Sequence, residues 1–135
     1  MRHDEFIGQV QHRARLPSRG DAERLTRATL ETLGERIPEG TVTNLASQLP
    51  QEIGEHLRRT VTMGGAGERF DMPEFVQRVA DRASAQEPDA VYGARVVLEV
   101  LDEATTGGLI GKVGEALPAD IRKLLEAGSQ GNLAT

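Results

Sequence analysis

The residues best placed to do chemistry are charged, stand at helical spacing and occur twice. Arg27, Glu31 and Glu35 lie four apart, and Arg95, Glu99 and Glu103 repeat the set 68 residues later. Four-residue spacing puts side chains on one helix face, so each set reads first as a ladder of intrahelical ion pairs, worth roughly a few tenths of a kcal/mol per pair. The sharper reading is a duplicated surface feature that faces a two-fold groove and serves in binding.

Other constellations are thinner. Glu52 and His56 are four apart and could both reach one metal ion. Two ligands do not make a site, and nothing fixes His3 or His12 beside them. Ser18, Ser47, Ser84 and Ser129 lack the strand–turn–helix setting of a nucleophile elbow. The run Met63-Gly64-Gly65-Ala66-Gly67-Glu68-Arg69 has neither the preceding strand nor the lysine of a phosphate loop, and reads as a flexible linker. No catalytic residue, metal or cofactor is expected.

The elements that carry these residues are helices. Phe6, Ile7, Val10 and Ala14 form one apolar stripe, and Ala22, Leu25, Leu30, Leu33 and Ile37 form another. Pro17–Gly20 and Pro38–Gly40 separate the helices, with Asp21 opening the second. A short helix over Val42–Leu49 follows, and then one begun by Pro50, a residue suited to a first helical position. Asp71 with Glu74 three residues on resembles a capping box, and begins a helix carrying Phe75, Val76 and Val79. The helix from about Pro88 to Glu103 is apolar nearly all round, which marks it as buried and central. Leu109–Leu117 and Pro118–Ala127 complete the set. Gly108, Gly111 and Gly114, spaced by three, suit a close helix contact.

Most of this is one unit written twice. Residues 21–57 match 89–125 without a gap, through Asp21/Asp89, Arg27/Arg95, Leu30/Leu98, Leu33/Leu101, Pro50/Pro118 and Ile53/Ile121. Upstream, Glu5-Phe6, Val10 and Arg13-Ala14 match Glu74-Phe75, Val79 and Arg82-Ala83 at a spacing of 69. Such self-similarity means a supersecondary unit used twice. The expected fold is all-α, with eight helices as two four-helix repeats about a pseudo-two-fold axis, sharing one core. The repeats span 4–62 and 71–127, joined by a Gly-rich linker at 63–70 and followed by a flexible tail at 128–135, in a single domain.

Composition narrows the function classes. The 135 residues are 38% hydrophobic and 27% charged, with a net charge of −5. That charge argues against nucleic acid and against an anionic membrane surface. There is no cysteine, which removes disulfides and thiolate chemistry. With no apolar signal core and no stretch of about 20 apolar residues, the expected location is cytoplasmic.

The ordered motifs Phe6/Val10, Ala22/Leu30/Leu33 and Leu49-Pro50-Gln51-Glu52-Ile53, repeated as Phe75/Val79, Ala90/Leu98/Leu101 and Leu117-Pro118-Ala119-Asp120-Ile121, resemble the bacterial domain-of-unknown-function family 2267. The resemblance covers about residues 4–126. It implies a small all-helical bacterial protein and carries over no catalytic residue. The missing catalytic sets favour a non-catalytic protein-interaction or scaffold module, with a protein partner or self-association. The alternatives are a small-ligand carrier with an apolar pocket between the repeats, marked by a cavity beside Val97 and Leu101, and an enzyme using carboxylates or histidine. The enzyme would need His56 or a glutamate pair together in a cleft with perturbed pKa values.

Overall fold

The computed structural model describes residues 1–105 together with 119, 122 and 123. Its described residues form six helices: α1 (His3–Arg13), α2 (Arg19–Arg36), α3 (Glu39–Ser47), α4 (Gln51–Thr62), α5 (Met72–Ala83) and α6 (Glu87–Ala104). The seventh expected helix, most of the eighth, the Gly111/Gly114 contact and the tail lie outside the described residues. No strand occurs among the described residues, and no described helix is long and apolar enough to cross a membrane.

Local chemistry sets the helix starts. The second helix begins two residues before Asp21, because the Ser18 hydroxyl accepts the Asp21 N–H at 3.1 Å and acts as N-cap. Asp71 caps α5 as its sequence suggests, accepting the Glu74 N–H at 3.2 Å. Arg15 and Ser84, matched in the repeat, follow α1 and α5, and both have φ of 55°. This left-handed geometry is costly for a residue with a Cβ, and it turns each chain sharply into the next helix.

Phe6, Val10, Phe75 and Val79 are fully enclosed, as are Leu30, Leu33, Val97, Leu98 and Leu101. Together with Ile37, Ile53 and Leu57 they belong to one aliphatic core. The centre is shared. Helix α6 packs on α1, α2 and α5, and α2 packs on α1, α4, α5 and α6. Thr26, Thr29 and Thr32 are completely buried on α2, so a helix that reads as amphipathic is nearly as enclosed as α6.

The stretch between α4 and α5 is anchored at several points. The Glu68 N–H donates to the Glu35 carbonyl at 2.7 Å, and Arg36 Nε donates to the Phe70 carbonyl at 3.2 Å. The Phe70 ring stacks on Phe75 with centroids 6.3 Å apart, and the Arg78 guanidinium lies 4.0 Å over the Phe70 centroid.

Candidate functional site

The duplicated glutamates do not bond their helical neighbours. Each set takes its arginine from the first helix of the other copy. Arg13, at the end of α1, reaches α6 and bonds Glu99 at 2.6 Å and both oxygens of Glu103 at 2.8 Å. Its repeat counterpart Arg82, at the end of α5, reaches α2 and bonds the two oxygens of Glu35 at 2.9 and 2.7 Å. Arg82 also donates to the Thr32 hydroxyl at 2.9 Å. Bidentate guanidinium–carboxylate pairs of this kind fix orientation as well as contributing energy. Glu31 pairs with Arg59 of α4 at 3.1 Å. The intrahelical ladder is therefore replaced by clamps between helices.

The two clamps hold the two turns that wall a cleft of about 500 Å³. Ala14, Arg15 and Leu16 follow Arg13, and Ala83, Ser84 and Ala85 follow Arg82. Both triplets line the cleft, and so do Asp21 with Asp89, Arg24 with Tyr92 and Leu25 with Gly93. Each of these is a matched pair of the repeat. Leu25 and Gly93 also meet: a Cβ on Gly93 would fall 2.7 Å from Leu25 Cδ1, so only glycine allows this approach without displacing the leucine. The Tyr92 hydroxyl donates to the Arg13 carbonyl at 2.8 Å and ties α6 to the end of α1. Val97 and Leu101 are enclosed in the core and line neither this cleft nor the next.

A second cleft of about 390 Å³ lies where α1, α2 and α4 meet, lined by His3, Ile7, Gly20, Glu23, Arg24, Arg27, Glu52 and His56. Burial first, then the neighbouring Arg59 charge, pushes the His56 imidazolium down to about 4. Arg59 lies 2.6 Å from His56 Nδ1. A guanidinium can only donate, so Nδ1 accepts and the ring proton sits on Nε2. Two turns further along α2, burial would raise the Glu35 carboxyl. The hydrogen bonds and charges of Arg82 and Arg78 outweigh it and hold the group below its ordinary value.

A model of the family described as an uncharacterised conserved protein (DUF2267) matches residues 3–124. The chain belongs to this family. No curated protein matches it in sequence.

Within this DUF2267 chain the six sequence-predicted positions divide. Glu31, Glu35, Glu99 and Glu103 enter the clamps and their borders. Arg27 is exposed in the polar cleft. Arg95 corrects the idea of a surface set: it is 0% exposed, because α6 is enclosed on nearly every side. Its three guanidinium nitrogens have no hydrogen-bond partner among the described residues. Sequence reasoning missed the roles of Arg13 and Arg82, although both were visible as repeated letters. It also missed Arg24 and Tyr92, which differ between the copies and leave no mark in a repeat.

Proposed function

We propose that this DUF2267 chain is a non-catalytic binding module whose two helical copies share the cleft between them as the seat for a small ligand. The copies are related by a pseudo-two-fold axis passing between Leu25 and Gly93, and they act as one folding unit. The observation that carries this reading is the lining of the cleft by matched pairs from both copies, meeting at Leu25 and Gly93. Its volume of about 500 Å³ falls within the roughly 300–1,000 Å³ of small-ligand sites. The crossed Arg13 and Arg82 clamps add support, since each fixes one wall of the cleft against the opposite copy.

The titratable groups favour binding over catalysis. Glu35 is committed to two arginines as a lasting anion. His56, at about 4, is a weak base at neutral pH, where a general base works best with a pKa near the operating value. A cleft of small-ligand size between the repeats favours the ligand-binding class over a flat protein-interaction face. The test is native mass spectrometry of the chain recovered from the cells that make it, beside an Ala85→Trp variant that fills the cleft. A small-molecule adduct on the natural chain that is lost from the variant is the expected result. A stoichiometric protein adduct surviving in both would replace this reading with the interaction module.

A further inference from the structure

The two copies treat one position in opposite ways. Where the first has His3, Glu23 and Arg24 along the α1–α2–α4 cleft, the second has Met72, Val91 and Tyr92, and where the first has His56 the second has Leu124. At these four positions the first copy is polar and the matched residues of the second are apolar or aromatic. Two cations stand in the cleft: Arg24 and Arg27 are three apart on α2, on one helix face. Both are exposed, and neither makes a hydrogen bond or ion pair among the described residues. Arg13, Arg59, Arg78 and Arg82, by contrast, each hold a carboxylate.

The other groups fit the same chemistry. Glu23 pairs with Arg19 at 3.2 Å, a cation that Asp4 shares at 2.6 Å, and Glu52 is the other carboxylate lining the cleft, beside the two guanidiniums. His56 has Nδ1 occupied by Arg59, so the nitrogen it has left is an N–H donor. We propose that the cleft between α1, α2 and α4 binds a small oxyanion, a carboxylate or a phosphate, between the guanidiniums of Arg24 and Arg27, with His56 Nε2–H as a third donor. Guanidinium forks match the oxygens of both groups. This site is separate from the cleft between the copies. Arg24 lines both clefts, but Arg27 lines only this one, so the test uses Arg27 and its failure leaves the proposed function standing.

The experiment follows the arginine Nε–H and imidazole signals of the full ¹⁵N-labelled chain by NMR. Inorganic phosphate and, separately, acetate are titrated at constant ionic strength kept with chloride. Saturable shifts at Arg27 and His56 are expected, with binding weakened about tenfold or more in Arg27→Gln and unchanged in Arg69→Gln, a control on the exposed linker. Whichever anion saturates at the lower concentration identifies the source of the oxyanion. Linear, unsaturated shifts with both anions would overturn the site. So would an Arg27→Gln chain that binds as tightly as the natural one, or equal weakening by Arg69→Gln.

Discussion

The Arg82 clamp and the Arg13 clamp use the same residue types at matched positions, yet they are built to different strengths. Glu35 serves two arginines, Arg82 and Arg78, and is 21% exposed. Arg78 also bonds Glu74 at 2.8 Å and Glu68, which draws the linker into the network. Its counterpart in the first copy is Gln9, which accepts a single bond from Arg13 Nε at 3.1 Å. Glu103 is 48% exposed and correspondingly open to screening. The first turn has the Tyr92–Arg13 hydrogen bond in addition. One clamp sets two arginines on Glu35 and extends to Glu68 and Glu74; the other joins Arg13 to Glu99 and Glu103 and is supported by a tyrosine.

Acidification should separate the two sides most strongly. His56 borders the Arg82 side through Arg59 and Glu31. It is held neutral down to about 4 against an ordinary 6.5, so the unfolded chain takes up the proton first. Stability should therefore fall as the pH drops from about 6.5 to about 4. The Glu35 pairing, with its carboxyl lowered from 4.5, is present above that value and lost as the pH falls below it through the folded value. Denaturant titrations at stepped pH should show both losses, and His56→Gln should abolish the upper one.

Among single substitutions, Glu35→Gln should cost the most, about 2 kcal/mol, because two charge-assisted partners lose their anion. Tyr92→Phe removes one neutral hydrogen bond and should cost about 1 kcal/mol. A double-mutant cycle on Arg13 and Glu103 should give a coupling of roughly 0.5 kcal/mol that fades in high salt. The same cycle on Arg82 and Glu35 should give a larger coupling that survives salt. Equal couplings would erase the distinction between the clamps.

Much of the fold was legible because core leucines, caps and prolines act locally. The stripe of Phe6, Ile7 and Val10, the Asp71 cap and the apolar girth of α6 each follow from residues within a turn or two. The pairing of Arg13 with Glu103 was not legible. It spans 90 residues and depends on how two copies pack, while spacing alone favoured partners four residues away. Burial of the threonines on α2 was hidden for a related reason: a hydroxyl in a helix can bond its own backbone, as Thr32 does to the Ala28 carbonyl at 2.8 Å, and so tolerate enclosure. The polar cleft was not legible either, because His3, Arg24 and His56 stand on three different helices that only the packing brings together.

The most direct test of a shared seat between the copies is an NMR fragment screen on the labelled chain, with a pool of small amphipathic molecules. The expected result is that hits shift the amides of Arg15, Ser84, Ala85 and Gly93 together, from both copies at once, and that Ala85→Trp abolishes those shifts. Hits that map to one copy alone, or that bind the Ala85→Trp chain equally well, would contradict it.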